Sequence, residues 1–369
     1  METLKIGLIG LGLIGKQHAE SIGRIPGIRL TAITEFNPEL LEQQRQYWGV
    51  PAYSDYKSMI DNEALDVIHN CTPNALHYEI NKYALERGIH VYSEKPLAIS
   101  VEQGEELVRL AKSKGLANGV NFNYRNNAMV QEMRIRMQKN DAGRCLLIHG
   151  HYLQDWLLYK TDSNWRLDVK EGGLSRALAD IGSHWFDTTQ VITGKKVTAV
   201  YAQLFTAHPE RINPSTKQSY PVETEDGGMI FFELEDGVKG SVMVSQVSAG
   251  YKNNILFSVD CEKYSMRWNQ EQSDRLVIGT RDSGIIEIHA APNAVDASIS
   301  RYATLPPGHP VGWADATTNG IREFYRSLFT NDYQTQMPLY SDFENGTYVM
   351  KIIEACLRSN RSNQWEKVI

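Results

Sequence analysis

The sequence predicts an α/β protein: a doubly wound parallel sheet at the N-terminus, followed by an α+β domain with a large antiparallel-rich mixed sheet. Three observations predict it. Short apolar runs alternate with helical patterns up to about residue 124. The first run, Leu4 to Ile9, passes directly into Gly10-x-Gly12-x-x-Gly15 and then into a helical pattern. Beyond residue 125 the alternation stops, and strands dominate from Val197 to Ile288. A chain of 369 residues is too long for one ordinary core, so two domains are expected, at 1–124 and 125–369.

Leu4, Ile6, Leu8 and Ile9 suit a strand buried on both faces of a parallel sheet. Gly10 permits the tight turn out of that strand, Gly12 leaves the backbone open to a pyrophosphate, and Gly15 lets the following helix pack closely. Leu13 and Ile14 open that helix, whose N–H groups and positive dipole end face the phosphates. Glycine spacing alone could mark an ordinary turn. The flanking strand, the helix and an acid at the right distance single it out as a dinucleotide cradle. Leu30 to Thr34 read as a second strand ending in Glu35, twenty residues past Gly15. A carboxylate there accepts hydrogen bonds from both ribose hydroxyls and repels a 2′-phosphate. Phe36 beside it offers no positive charge, so NAD is expected rather than NADP.

Asn37 and Pro38 read as N-cap and first position of a helix to Trp48. Tyr53 and Ser54 lead into a helical segment through Ile60. Ala64 to Asn70 form the third buried strand, ending in Cys71-Thr72-Pro73-Asn74, a turn expected to border the same crevice. A helix from His77 to Arg87 and a strand from His90 to Ser93 follow, and the strand ends in Glu94-Lys95-Pro96. Ser100 and Gln103 spell a capping box for a helix to about Lys114. The strand Ala117 to Asn121 precedes Asn123-Tyr124-Arg125.

In the second domain a helix from about Met129 to Lys139 leads to the strand Cys145 to Leu153. A helical segment spans about Asp180 to Ile192. Turns at Glu235-Asp236-Gly237 and Arg281-Asp282-Ser283-Gly284 separate strands. Thr206 to Val222, polar and punctuated by proline, reads as a surface arm. Helices return at about Ala314 to Phe329 and Ser341 to Ser359, the last with Ser341 and Glu344 as its capping box.

Composition limits the function. The formal charge of −6 and the absence of basic blocks argue against nucleic-acid or anionic-membrane partners. Cys71, Cys145, Cys261 and Cys356 form no C-x-x-C pair and read as buried, reduced thiols. No run reaches the length of a membrane span, and the first strand leaves no room for a cationic leader, so a cytoplasmic protein is expected.

A dinucleotide fold needs a proton-handling group for its substrate. Lys95 stands at a strand's carboxyl end, where Pro96 biases it away from helix, and its ammonium can stabilise a developing alkoxide. The plain alternative is a surface lysine. Asp180 and His184 lie four apart and share a helix face, with histidine the usual base near neutral pH. Such a pair is also a common capping or core hydrogen bond. A metal site would need more ligands than this pair, and no third stands at a recognisable spacing, so no metal is expected.

Gly10, Gly12 and Gly15, then Cys71-Thr72-Pro73-Asn74 with His77, then Glu94-Lys95-Pro96, then Asp180-x-Gly182-x-His184 together resemble the Gfo/Idh/MocA oxidoreductase family across essentially the whole chain. The resemblance implies a Rossmann domain and a second domain whose open sheet face forms the oligomer interface, giving a homodimer or homotetramer. It implies that Thr72, Pro73, Asn74, His77, Glu94 and Lys95 border the cofactor, and that Lys95, Asp180 and His184 line the active site with His184 as acid/base. Gln154-Asp155-Trp156, Asn164-Trp165-Arg166-Leu167-Asp168 and Gly308-His309-Pro310-x-Gly312-Trp313-x-Asp315 resemble, more narrowly, the branch that includes levoglucosan dehydrogenase and related sugar dehydrogenases. This likeness implies that Tyr124, Gln154, Trp156, Arg166 and His184 surround a sugar, an aromatic face stacking on the ring while amide and guanidinium take hydroxyls. Core packing for Trp156 and a structural ion pair for Arg166 are the alternatives.

The expected activity is NAD-dependent oxidation of a secondary hydroxyl of a sugar, anhydrosugar or cyclic polyol. Two rivals stand beside it: a glycoside hydrolase or epimerase that retains NAD for transient oxidation, and a non-catalytic dinucleotide-binding sensor.

Overall fold

The computed structural model describes residues 3–334 and 338–369. The chain forms two compact units, Met1–Asn123 with Thr317–Thr347, and Tyr124–Ala316 with Tyr348–Ile369.

The first unit carries β1 (Leu4–Ile9), α1 (Leu13–Gly23), β2 (Ile28–Thr34), α2 (Pro38–Trp48), β3 (Ala52–Tyr53), α3 (Tyr56–Asn62), β4 (Val67–Asn70), α4 (Asn74–Glu86), β5 (His90–Ser93), α5 (Val101–Lys114) and β6 (Asn118–Val120). Its six-stranded sheet runs β3-β2-β1-β4-β5-β6, every pair parallel. Strand order reverses between β1 and β4, and in open α/β sheets the ligand crevice lies beyond the carboxyl ends at that point. Asn37 caps α2 through Oδ1, accepting from the N–H groups of Glu39 and Leu40 at 3.0 and 3.1 Å. The Ser100 hydroxyl accepts from Gln103 N–H at 3.4 Å. The Gln103 Oε1 has no partner, so that capping box is only half made. Helix α4 starts at Asn74, not His77, because Pro73 itself serves as its N-cap.

The second unit holds α6 (Ala128–Gln138), β7 (Cys145–Leu153), α7 (Val169–Gly172), a π-helical turn (Leu178–Gly182), α8 (Ser183–Thr193), β8 (Val197–Phe205), β9 (Glu210–Ile212), β10 (Ser219–Pro221), β11 (Gly227–Leu234), β12 (Lys239–Ser245), β13 (Asn254–Cys261), β14 (Ser265–Asn269), β15 (Arg275–Thr280) and β16 (Gly284–His289). Its nine-stranded sheet runs β16-β15-β14-β13-β7-β12-β11-β8-β17, where β17 is Glu366–Lys367 near the chain's end. β11 (Gly227–Leu234) and β12 (Lys239–Ser245) flank the turn at Gly237, whose φ is +82°. β13 (Asn254–Cys261) lies antiparallel to β7, while β12 lies parallel to it. Alternation sends Ile230, Phe232, Val242, Val244, Ile255, Phe257 and Val259 into the core, where they meet Trp185 and Phe186 of α8. All four cysteines are free thiols; Cys71 is only partly buried, and Cys145 faces Cys261 across the sheet.

The arm at 206–222 is less a surface loop than a pinned hairpin of β9 (Glu210–Ile212) and β10 (Ser219–Pro221). Arg211, fully buried, donates to the carbonyls of Leu157 and Tyr159, both at 2.9 Å, and to Asp226 at 2.8 Å. Asp226 also binds buried Arg176.

The last two helices are α9 (Trp313–Thr330) and α10 (Phe343–Ser362). From Thr317 the chain is back in the first unit, a return that a single boundary at 124/125 omits. Ile321, Phe324 and Tyr325 join Ile6, Val67 and Tyr92 in that unit's core. The capping box expected at Ser341 and Glu344 is corrected by one residue. Asp342 caps α10 by accepting from Asn345 N–H at 2.8 Å, because Ser341 is drawn into a bridge with Val120 and Glu344 pairs with Lys112. Among the described residues no helix is long and apolar enough to cross a membrane.

Candidate active site

Three turns of the first unit stand at the carboxyl ends of neighbouring strands: Gly10 to Gly15 after β1, Cys71 to Asn74 after β4, and Glu94 to Pro96 after β5. Gly10 has φ of +86°, and a Cβ there would lie 2.6 Å from the Cys71 carbonyl oxygen. A Cβ on Gly15 would lie 1.9 Å from the Gly10 oxygen, so only glycine lets α1 start so close to the turn. At Gly12 an added Cβ meets nothing within 4 Å. That glycine is not needed by the fold, and its open side fits the close approach of a ligand backbone. Leu13 is 82% exposed beside it, and α1 begins without a side-chain cap, leaving its positive end available to an anion.

Glu35 stands at the end of β2. Its Oε2 accepts from Leu11 N–H at 2.8 Å and its Oε1 from Asn37 N–H at 3.1 Å. The carboxylate thus fixes the glycine turn, and each oxygen keeps a further lone pair for a ribose hydroxyl. Beneath the second turn, Thr72 Oγ1 donates to Asn70 Oδ1 at 2.7 Å, Asn70 to Asn81 at 2.8 Å, and Asn81 to Ser93 at 3.0 Å. His77 lies buried between the Thr72 carbonyl at 2.8 Å and the Pro96 carbonyl at 2.6 Å. It ties the second turn to the third. Burial pushes its pKa down against these two acceptors, and a neutral ring can donate to only one of them.

Glu94 ends a buried polar chain that the sequence did not disclose. Tyr325 on α9 meets His69 Nε2 at 2.7 Å, His69 Nδ1 meets His18 Nδ1 at 2.9 Å, and His18 Nε2 meets Glu94 Oε1 at 3.1 Å. Burial holds the His69 pKa well below its ordinary value. A neutral His69 that accepts from the tyrosine donates to His18, which in turn donates to the carboxylate. Burial pushes the Glu94 carboxyl up, but His18, the Asn121 amide and Lys95 outweigh it and hold its pKa at about 2. The second oxygen, Oε2, accepts the Lys95 backbone N–H at 3.3 Å, so the charge steadies the residue that carries the candidate ammonium.

In the second unit, Asp180 and Gly182 lie in the π-helical turn and His184 in the first turn of α8. The regular helix expected there is corrected: the Ser183 N–H bonds back to Leu178, five residues earlier, and such turns recur at functional sites. His184 is 7% exposed, and the Tyr124 ring meets it edge-on at 4.8 Å between centroids. Asp180 is held from both sides, its Oδ1 by Arg166 Nε at 3.2 Å and its Oδ2 by Gln246 Nε2 at 2.9 Å. The Arg166 guanidinium also stacks on Trp165 at 4.3 Å. Gln154, Tyr124 and Tyr152 each bond to one residue that sequence reasoning missed, Asn253, and Tyr152 was missed as well; Trp156 Nε1 in turn donates to Gln154 Oε1. Burial raises the pKa of both tyrosines, so each hydroxyl keeps its proton. Among the described residues no group of three or more His, Cys, Asp and Glu is placed to hold a metal ion.

Comparison with known proteins bears on the family and the fold. The model of the oxidoreductase family with NAD-binding Rossmann fold matches residues 4–122, and that of the GFO/IDH/MocA C-terminal domain matches residues 130–267. Levoglucosan dehydrogenase of Pseudarthrobacter phenanthrenivorans is 31% identical, over 100% of this chain and 99% of its own. Glucose-6-phosphate 3-dehydrogenase of Bacillus subtilis is 24% identical, over 98% and 97%. The structure of levoglucosan dehydrogenase in complex with NADH and levoglucosan superposes with a TM-score of 0.92 at 28% identity, covering 100% of each chain. The chain belongs to the Gfo/Idh/MocA family of NAD-binding oxidoreductases.

Proposed function

We propose that this protein is an NAD-dependent dehydrogenase that oxidises a secondary hydroxyl of a sugar, anhydrosugar or cyclic polyol. The observation that carries the reading is the cluster around His184: an imidazole faced by a tyrosine ring, beside an amide-and-indole surface of Gln154 and Trp156 and the Arg166–Asp180 ion pair. Such a surface suits a polyhydroxylated ring, whose C–H face stacks on an indole while its hydroxyls exchange hydrogen bonds with amide and guanidinium. Relatives named for sugar substrates support the same class.

Gly10, Gly12, Leu13, Ile14 and Gly15 would hold the pyrophosphate, Glu35 the adenosine ribose, and Thr72, Pro73, Asn74, His77 and Glu94 the remainder, with Lys95 bordering the cofactor without carrying its affinity. The bound cofactor supplies the hydride acceptor. His184 takes the proton from the substrate hydroxyl. The Lys95 ammonium hydrogen-bonds the same oxygen and stabilises the charge that develops on it. Asp180, fixed by Arg166 and Gln246, orients the base or the substrate.

We assign self-association to the open sheet face. Phe231 is 54% exposed, Met229 52% and Met243 47%, on neighbouring strands β11 and β12, an apolar patch suited to a second copy.

The test is a panel of monosaccharides, anhydrosugars and inositols with NAD, followed by NADH absorbance. At least one should give stoichiometric NADH. Turnover of a glycoside or epimerisable sugar without net NADH would instead favour a retained cofactor, and NAD binding without any turnover would favour a sensor.

A further inference from the structure

The hydrogen bonds around Asn253 have only one possible direction. An indole N–H can only donate, so Gln154 presents Oε1 to Trp156 Nε1, at 2.8 Å, and its NH2 group to Asn253. Asn253 therefore presents Oδ1 to Gln154, at 3.0 Å, and to the Tyr152 hydroxyl, at 2.6 Å. Its Nδ2 is left to donate to the Tyr124 hydroxyl at 2.8 Å. Tyr152 has spent its proton on Asn253, so the 2.9 Å contact between the two tyrosines runs from Tyr124 to Tyr152. Tyr124, Tyr152 and Asn253 close a ring in which each donates to the next. Trp313 donates to the Tyr124 hydroxyl as well, so that hydroxyl has one donated and two accepted bonds and no capacity left over.

Two consequences follow for residues expected to meet the substrate. Tyr124 is saturated by protein partners, so its service is its ring, held edge-on against His184. Gln154 and Trp156 stand where they do because one amide fixes the glutamine. Asn253 itself is fixed, its backbone N–H bonded to Glu271 Oε1 at 3.0 Å, while the same carboxylate holds buried Asn254 at 2.7 Å.

We infer that Asn253 is a positioning residue for the reaction, setting both the orientation of the His184 imidazole, through Tyr124, and the sugar-facing edge made by Gln154 and Trp156. The inference rests on the dehydrogenase reading for its kinetic arm only.

The test compares Asn253→Ala, Asn253→Asp and Tyr124→Phe in the full-length protein with NAD. Asn253→Ala should lower kcat/KM for the best sugar by about tenfold or more, while KM for NAD stays within about twofold. Asn253→Asp keeps the acceptor for Tyr152 and Gln154 but has no N–H for Tyr124, so it should recover the loss only in part. Tyr124→Phe should reproduce the Ala defect in part, and Asn253→Ala added to it should cost less than it does alone. The second arm is the rate of diethyl pyrocarbonate modification at His184, read by peptide mass, which needs no turnover. It should rise in Asn253→Ala and in Tyr124→Phe. Unchanged sugar kinetics and unchanged His184 modification in Asn253→Ala would overturn the inference. Should that variant fail to fold, unchanged modification in Tyr124→Phe would do so. Absence of NADH formation by the wild type would sink the dehydrogenase reading, and the modification arm would still judge Asn253.

Discussion

Glu94→Gln removes a charge that the first unit holds in its interior. The carboxylate is 9% exposed and takes Nε2 of His18 at 3.1 Å and the Asn121 amide at 2.6 Å. Its pKa is lowered from 4.5 to about 2 in the folded protein. A depressed carboxyl stabilises the fold fully above its unfolded value near 4.5, and that stabilisation fades as pH falls toward 2. Converted by linkage, the difference amounts to about 3 kcal/mol at neutral pH, of which roughly 2 kcal/mol is gone near pH 3. Guanidinium unfolding of the cofactor-free protein and of Glu94→Gln, at several pH values down this range, measures it. The variant should be less stable by about 2–3 kcal/mol at pH 7, with the gap narrowing to about 1 kcal/mol near pH 3. A gap under about 0.5 kcal/mol at pH 7, or one that does not shrink on acidification, would refute the reasoning.

Gly12→Ala should leave thermal stability unchanged, since its Cβ meets nothing within 4 Å, yet weaken NAD binding by calorimetry. Gly15→Ala, with its Cβ 1.9 Å from the Gly10 oxygen, should lower both stability and NAD affinity. Asp226→Asn leaves Arg176 and Arg211 buried without their shared counter-charge, and should destabilise by about 3–5 kcal/mol in chemical denaturation. Glu35→Ala removes the acid that opposes a 2′-phosphate and should narrow the preference for NAD over NADP by about tenfold or more in steady-state kinetics.

The first unit was legible because its signals are local. Each strand-end turn, Gly10 to Gly15, Cys71 to Asn74 and Glu94 to Pro96, announces itself within a few residues of the strand that carries it. The order in which those strands pair follows from the fold rules that go with the glycine turn. The second unit hid its arrangement because its partners are far apart in the chain. Asn253 reaches Tyr124 across 129 positions, and Gln246 reaches Asp180 across 66. No periodicity reports such meetings; two adjacent asparagines, 253 and 254, ahead of an apolar strand were the only available hint. The buried Arg176–Asp226–Arg211 group was invisible for the same reason, and with it the anchoring of the 206–222 hairpin. The return of α9 to the first unit's core escaped because an amphipathic helix declares an apolar face but not its partner.

Cofactor binding and proton handling fall to different side chains in the proposed reaction. With the sugar that gives NADH most rapidly, Lys95→Met and His184→Ala should each lose turnover by about a thousandfold or more while their calorimetric Kd for NAD stays within about threefold of wild type. Near-normal turnover in either variant, or loss of NAD binding in a variant that remains folded, would contradict the roles given to these two side chains.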